Sequence, residues 1–154
     1  MWHTDNMRVF VPLLLRDLQA ERILATEIVT ATYPQGKAHP DEVEQAEYDA
    51  CLDASLASLE LIRDRWDEEP VKRRTVAVAE VDAVDEEAEN GYYEIGWDKL
   101  RAIFIDDDDA CDLITGICLL TDQDRADEAV YDLVENHPLI WFDASERIEV
   151  SNLK

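Results

Sequence analysis

Residues 42–66 read EVEQAEYDACLDASLASLELIRDRW, and this stretch decides the fold that we expect of the chain. Side chains suited to one buried stripe recur there at alternating spacings of four and three residues: Tyr48, Leu52, Ser55, Leu59, Ile62 and Trp66. Such spacing is typical of one face of an α-helix. Just upstream, Asp41 with Glu44 three residues later resembles a capping box. We therefore predict a helix from about Glu42 to Trp66, which at 1.5 Å per residue is about 37 Å long and lies across a whole sheet.

The chain before this helix predicts two strands around a shorter helix. Alternating side chains predict a first strand over Met7–Pro12, which Pro12 ends because it has no N–H to donate. The leucines of residues 13–24 fall near helical spacing, and β-branched residues predict a second strand over Glu27–Tyr33. A loop punctuated by proline and glycine follows from Pro34 to Pro40. Residues 1–6 are expected to form a loose N-terminal extension.

Downstream of the long helix, apolar stretches alternate with acid-rich segments. Three of these stretches predict strands: Arg74–Val81, Tyr92–Trp97 and Arg101–Ile105. The first two are separated by a solvated loop, Asp82–Gly91. Two helices and a last strand follow: Asp106–Leu120, a helix capped by Thr121 and ended by His137-Pro138, and Leu139–Asp143. A short edge strand is predicted over Ile148–Val150.

The predicted order is β-α-β-α-β-β-β-α-α-β, with no repeat or linker to divide it. We therefore expect a single α+β domain over residues 7–146. Its mixed sheet should contain about five to six strands, accompanied by about four helices. Residues 147–154 are assigned to a C-terminal tail or to the short edge strand.

The charge of the chain limits its partners. Its 154 residues include 37 acidic and 14 basic side chains, which gives a formal net charge of −23. Such a surface repels phosphate backbones and anionic lipid heads, so direct basic contact with nucleic acid or with a membrane is not expected. Three interpretations of the acidity stay open: solubility, a docking face for a basic partner protein (including mimicry of DNA), and adaptation to salt.

The expected location is the cytoplasm. The start of the chain lacks the charged-then-apolar order of an export signal. No apolar run approaches the ~20 residues that a membrane-spanning helix needs. Three cysteines in no recognisable motif, Cys51, Cys111 and Cys118, argue against a disulfide framework and favour small buried side chains.

Four stretches carry a resemblance to a known family: Met7-Arg-Val-Phe-Val-Pro-Leu13, Glu47–Leu56, Arg74–Val81 and Leu139–Asp143. In order and spacing they resemble an uncharacterised actinobacterial family of small acidic proteins that begin Met-Arg-Val-Phe/Tyr-Val-Pro. The opening strand is the most specific of the four. The resemblance covers Met7 to about Asp143 and implies a single intracellular α+β domain. It implies no activity, cofactor or site residue, because the family has none assigned.

The acidic run Asp106–Asp109 is the most suggestive candidate for chemistry. It follows the predicted strand Arg101–Ile105 and precedes a helix. Carboxylates at a strand end can hold Mg²⁺ or Mn²⁺, which prefer oxygen ligands, and Asp143 ends another strand. The candidate metal ligands are therefore Asp106, Asp107, Asp109 and Asp143. The alternative is that these acids cap a helix, whose N-terminal N–H groups favour negative charge.

Two tryptophans are candidate partner-binding residues. Trp97 lies at a predicted turn, and Trp141 alternates with Phe142 on the last strand. If one face of the sheet is open, Trp97 or Trp141 would face solvent and suit a contact with another protein or with a second copy of the chain. A sheet covered on both faces would hide them.

Common catalytic signatures are absent from the sequence. It contains no His-x-x-x-His pair, no Gly-x-Ser-x-Gly turn and no glycine-rich phosphate loop. Our leading hypothesis is therefore a non-enzymatic protein-binding or regulatory module that needs no cofactor. The alternative is a Mg²⁺- or Mn²⁺-dependent enzyme that acts on a small or phosphorylated substrate through Asp106–Asp109.

Overall fold

The computed structural model describes residues 6–31, 39–82 and 92–154. Seven strands are numbered in chain order: β1 Asn6–Leu13, β2 Ile23–Ala25, β3 Val29–Thr30, β4 Thr75–Asp82, β5 Tyr93–Ile95, β6 Leu100–Ile105 and β7 Ile140–Asp143. Four helices accompany them: α1 Pro40–Asp64, α2 Asp108–Leu119, α3 Gln123–Asn136 and α4 Arg147–Ser151. The predicted α+β class is confirmed, and so is the element order, with a short 3-10 helix, Leu15–Gln19, in the place of the first predicted helix and with β2 and α4 as extra elements. Residues 1–5 of the predicted N-terminal extension and nearly all of both predicted loops lie outside the described residues, and Asn6 begins β1.

Five strands form the main sheet in the order β3-β1-β4-β6-β7, while β2 and β5 pair as a separate ribbon. Every neighbouring pair in the described parts of the chain is antiparallel, whereas we expected a mixed sheet. The helix α1 explains the difference. It returns the chain so that β3 and β4 run in the same direction, as a crossover helix does. The strand β1 lies between them, so these two parallel strands never pair directly.

Side chains alternate between the two faces of the sheet. On β1, Phe10 packs with Ala50 and Ala54 of α1, and we call this the helix face. Its neighbour Val9 points the other way, into a cluster with Leu18 and with residues of β2, β5 and α4. We call this second side the ribbon face. Both faces are therefore covered, at least around the central strands.

The remaining helices pack at one end of the sheet. Leu59 and Ile62 of α1 form a buried cluster with Ile114 and Ile117 of α2 and with Leu133 of α3. This cluster brings the start of α2 and the end of α3 close to the beginning of β4. No helix among the described residues has the length and apolar character needed to cross a membrane.

One hydroxyl ties α1 to the sheet. The Oγ of Ser58 donates a hydrogen bond to the carbonyl of Leu13, at 2.6 Å, and accepts one from the N–H of Thr75, at 2.9 Å. Leu13 and Thr75 are register partners at one end of the β1–β4 pair. Because Ser58 is fully buried, it fixes the position of α1 over these two strands.

The predicted helix over residues 13–24 is wrong. The structure has only a short 3-10 helix, Leu15–Gln19, followed by β2. The three consecutive leucines are all buried without a helix, because they enter two different clusters on opposite faces of the sheet. Leu13 and Leu15 enter the cluster on the ribbon face, while Leu14 enters the cluster of α2 and α3. Tertiary packing, and not local periodicity, therefore explains their spacing.

The predicted edge strand over Ile148–Val150 is also wrong, since these residues belong to α4. A capping box at Asp143 and Glu146 turns the chain before they begin. Val150 is then buried on the ribbon face, and Arg147 donates a hydrogen bond to the carbonyl of Leu18. Three alternating residues are too few to tell a strand from one helical turn.

The helix starts differ from the predictions by one or two residues. His39 caps α1 by accepting a hydrogen bond from the N–H of Asp41, so Asp41 lies in the first turn and does not open a capping box. Asp122 caps α3 in place of the predicted Thr121. Asp107 caps α2, as the capping alternative for the acidic run requires.

Candidate functional site

A concave groove of about 520 Å³ opens on the helix face of the sheet. Its floor is formed by β4, β6 and β7, one wall by α1, and the other wall by the end of α3 with the following residues His137–Leu139. Most of its lining is apolar, and charged side chains lie mainly at its two ends. We call this feature the groove.

The groove exists because one helix cannot cover five strands. Strands lie about 4.8 Å apart, so five of them span about 19 Å. A helix with its side chains is about 10–12 Å wide. The helix α1 packs on β1, β3 and β4, which leaves the helix face of β6 and β7 open.

The floor of the groove combines aromatic and small side chains. Phe104 of β6 and Trp141 of β7 are register partners and lie side by side. Ala102, also on β6, is small and leaves space above the sheet, and Val78 continues the floor on β4. Trp141 is 56% exposed, which is high for an aromatic side chain in a strand.

Successive turns of α1 form one wall of the groove, and three of the lining residues belong to the predicted helical stripe. Tyr48, Cys51, Leu52 and Ser55 line the groove. The Oγ of Ser55 donates to the carbonyl of Leu52 at 2.6 Å, so its hydroxyl is engaged within the helix. Tyr48 is 62% exposed and stands at the rim.

One end of the groove is closed by an ion pair between Arg74 and Asp106. The Nε of Arg74 lies 2.9 Å from Oδ2 of Asp106, and its Nη2 lies 2.6 Å from Oδ1. The same carboxylate accepts a hydrogen bond from the N–H of Arg74 at 2.8 Å. The Nη2 of Arg74 also donates to the carbonyl of His137 at 2.8 Å. This pair joins the start of β4, the end of β6 and the end of α3.

The other end of the groove holds Arg8 and Arg101, and both are paired with acids. Glu80 accepts a hydrogen bond from Arg8 at 3.0 Å, and its second oxygen lies 3.6 Å from Nε of Arg101. Glu47 of α1 accepts a further bond from Arg8 at 3.2 Å. The hydrogen bond to Glu80 is the main reason that the pKa of Arg8 is raised. The cations at this end are therefore already compensated.

Three of the four predicted metal ligands have separate hydrogen-bond partners, and the side chain of the fourth is exposed. Asp106 is bound by Arg74, and Asp107 accepts from the N–H of Ala110 at 2.8 Å as the cap of α2. The side chain of Asp109 is exposed. Asp143 accepts from the hydroxyl and then from the N–H of Ser145, and both bonds lower its pKa.

The described residues contain no group of three or more His, Cys, Asp or Glu side chains arranged to hold a metal ion. Asp108, which is not among the four predicted ligands, pairs with the buried Arg73. Within this run, Oδ1 of Asp107 also lies 3.9 Å from Nδ1 of His137. The geometry of the described acids therefore favours the capping and pairing alternative.

Cys51 is the cysteine that lines the groove. Burial raises the pKa of its thiol to about 11, with a smaller opposing effect from Arg74. At neutral pH the side chain is therefore a thiol and a weak nucleophile. Burial raises the pKa of Cys111 and Cys118 as well.

The two predicted partner-binding tryptophans lie in different places. Trp97 is on the ribbon face, where its Nε1 donates to the carbonyl of Ala20 at 2.7 Å and the guanidinium of Arg147 lies 4.2 Å above its ring. Trp141 lies at the groove and is half exposed. The structure therefore does not bring Trp97 and Trp141 together.

Sequence reasoning missed the groove and its buried arginine. The sequence pattern places Arg74 at the start of a predicted strand and indicates no function for its side chain. A signal was present, since an arginine directly before the apolar run Thr75–Ala79 has to find a buried partner, and Asp106 follows an equally apolar strand.

Comparison with known proteins gives one match. A family model described as "Family of unknown function (DUF6912)" matches residues 7–150. No curated protein matches the chain, and no solved structure does. The predicted resemblance to an uncharacterised family is confirmed. The actinobacterial origin and the shared start motif stay predictions.

Proposed function

Since this chain belongs to DUF6912, a family of unknown function, its own geometry has to guide the assignment, and we propose that it is a binding module for a small, mainly apolar molecule. The groove is the proposed recognition site. The observation that carries the proposal is a concave, mainly apolar space bordered by a few fixed polar groups.

The size and lining of the groove support this proposal. Small-molecule sites in proteins are clefts of about 300–1,000 Å³, lined by apolar and aromatic side chains with a few placed polar groups. The groove has a volume of about 520 Å³ and is lined by Phe10, Phe104, Tyr48 and Trp141. A flat protein interface would not need such a recess.

The chemistry of the groove supports binding without catalysis. The thiol of Cys51 keeps its proton at neutral pH because burial raises its pKa to about 11. The hydroxyl of Ser55 donates to a backbone carbonyl of its own helix. Neither side chain is therefore poised as a nucleophile, and the groove offers shape and hydrogen bonds instead.

A basic protein partner stays a prediction of the sequence. The net charge of −23 and the exposed ring of Trp141 on the groove floor favour it. Such a partner would compete with the proposed small molecule only if it inserted an apolar side chain into the groove. A pull-down at low and moderate salt, with and without a groove ligand, distinguishes these cases.

The proposed function can be tested with N-phenyl-1-naphthylamine, a neutral dye that fluoresces in apolar surroundings. We expect saturable binding with one site per chain. Cys51→Phe fills the α1 wall of the groove and should weaken the dye affinity at least about tenfold, since the larger ring occupies the same space. The matched control is Cys118→Phe, because Cys118 is also a partly buried helical cysteine but lines a different surface recess between α1 and α3.

Equal loss of binding in both variants, or dye binding that does not saturate, would contradict the proposal. Circular dichroism of both variants confirms that each remains folded before the titration. A dye signal retained in Cys51→Phe and lost in Cys118→Phe would move the site to the other recess.

A further inference from the structure

We infer that the molecule bound in the groove carries an uncharged hydrogen-bond-accepting oxygen, such as a ketone or amide carbonyl, which Nη1 of Arg74 binds. This inference rests on the proposed function, because it names the class of molecule that the groove takes. It also fixes the orientation of that molecule, with the acceptor at the Arg74 end and the apolar body over Phe104 and Trp141.

The inference begins with the donors of Arg74. A guanidinium carries five N–H donors: one on Nε and two on each terminal nitrogen. The Nε donor and one Nη2 donor bind Asp106, and the second Nη2 donor binds the carbonyl of His137. Both donors of Nη1 have no hydrogen-bond partner among the described residues, although Arg74 lines the groove.

The position of these two donors indicates a ligand. Only 2% of the Arg74 side chain is exposed, and Arg74 lines the groove, so we place this small accessible part at the groove. An apolar molecule that displaces water from this end would leave the Nη1 donors unpaired, and an unmade hydrogen bond costs more than a made one gains. A ligand oxygen at this end of the groove would keep the donors paired.

The charge of the acceptor follows from the pairing of Arg74. Asp106 is fully buried and binds the guanidinium from the side, so one negative charge already balances it. A ligand carboxylate would bring a second negative charge beside Asp106 in a poorly solvated place, which is unfavourable. At the far end, Arg8 and Arg101 are likewise occupied by Glu47 and Glu80. The net charge of −23 repels an anionic ligand at longer range as well.

Three naphthalenes test the inference on the unaltered protein. They are 2-acetylnaphthalene, 2-isopropylnaphthalene and 2-naphthoate, whose substituents each have three heavy atoms and similar shapes. They differ only in offering a neutral acceptor, no acceptor or an anionic acceptor. We expect the acetyl compound to displace N-phenyl-1-naphthylamine at about a tenfold lower concentration than the isopropyl compound, with naphthoate weakest, because one hydrogen bond to a charged donor separates the first two.

The outcomes separate the inference from the proposed function. If none of the three compounds nor the dye binds, the proposed function fails and the inference fails with it. If the acetyl and isopropyl compounds bind equally well, the groove binds apolar molecules but Arg74 does not select them. If naphthoate binds most tightly, the acceptor is anionic and the inference is overturned.

A double variant tests whether Arg74 causes the preference for the acetyl compound. Arg74→Met alone would leave Asp106 buried without a partner, so Arg74→Met/Asp106→Asn is used, in which the amide oxygen still accepts from the N–H of residue 74. In this variant the acetyl and isopropyl compounds should bind with equal affinity. The control is Arg63→Met in the other recess, outside the groove, which should keep the preference for the acetyl compound. Preference retained in the double variant, or lost in the control, would overturn the role of Arg74.

Discussion

Arg74 and Asp106 form a side-on ion pair in which neither side chain reaches the surface, with 2% and 0% of the two side chains exposed. Three elements meet at this pair, because Arg74 precedes β4, Asp106 follows β6, and the carbonyl of His137 ends α3. The first acid of the run Asp106–Asp109 is therefore a structural partner of the sheet. It also holds the guanidinium in place at the end of the groove.

Asp106→Ala should lower the free energy of unfolding by about 3–5 kcal/mol, because it leaves the Arg74 guanidinium buried without its counter-charge. Asp109→Ala is the control, since Asp109 lies in the same run but is exposed, and its loss should cost less than about 1 kcal/mol. Urea denaturation of both variants measures the difference. Similar, small losses in the two variants would contradict a structural role for the pair.

Ser58→Ala should destabilise the protein by about 2–4 kcal/mol. It removes both the donor to the Leu13 carbonyl and the acceptor of the Thr75 N–H, and each buried group left alone costs about 1–3 kcal/mol. Ser55→Ala is the matched control on the same helix, because its hydroxyl bonds only within α1. Its loss should cost less than about 1 kcal/mol. Urea denaturation compares the two, and equal costs would argue against Ser58 as the tie between α1 and the sheet.

Cys51 should alkylate slowly in the folded protein. Its pKa of about 11, against an ordinary 9.0, gives about a hundredfold less thiolate at pH 8 than in the unfolded chain. Iodoacetamide labelling followed by peptide mass spectrometry, with and without denaturant, measures this ratio. Bound N-phenyl-1-naphthylamine should slow Cys51 further and leave Cys118 unchanged. Labelling of folded Cys51 at the denatured rate would contradict its burial in the groove wall.

The same pKa shift gives a pH dependence of stability. Between pH 9.0 and about 11 the folded thiol of Cys51 keeps a proton that the unfolded thiol has lost. The folded state then binds more protons, so stability falls as pH rises through this window and is fully present below it. Cys51→Ala should show a weaker loss of thermal stability across the window than the unaltered chain. An identical slope would remove Cys51 as its cause.

Melting with divalent metals tests the predicted Mg²⁺ or Mn²⁺ site. Because Asp106, Asp107 and Asp143 have local hydrogen-bond partners, we expect Mg²⁺, Mn²⁺ and Ca²⁺ to shift the melting temperature by similar small amounts. Asp107→Asn/Asp109→Asn keeps a capping side chain on α2 and should show the same shifts. A shift of several degrees with one metal alone, lost in this variant, would restore the metal site.

The sequence predicted the parts of the fold that local patterns determine. The stripe of residues 42–66 gave α1 to within two residues at each end, and the apolar alternation gave β4 and β6 to within one residue. The prediction from sequence failed where long-range packing determines the structure. Leu13, Leu14 and Leu15 are consecutive, yet two different clusters bury them, which no local window records. The antiparallel sheet likewise depends on β1 lying between β3 and β4, which is a long-range arrangement.

The site was harder to predict than the fold. The run Asp106–Asp109 stands out in the sequence, yet its first acid pairs with a residue 32 positions earlier. The groove results from the uncovered width of the sheet beside α1, so no motif marks it. Trp141 was a candidate for its exposure, and the structure places it on the groove floor. Trp97, the other candidate, instead contacts Ala20 and Arg147.

The interior place of β1 in the sheet affects how the chain can fold during its synthesis. Its register partner across the β1–β4 pair lies about seventy residues later, since Val9 pairs with Ala79. The hydrogen bond from Gln19 to Ser151 spans a longer separation still, 132 residues. A growing chain on the ribosome therefore carries β1 with one open edge until α1 and β4 have both emerged. Folds dominated by such distant contacts form slowly, and an unpaired edge is exposed to misassociation in the meantime.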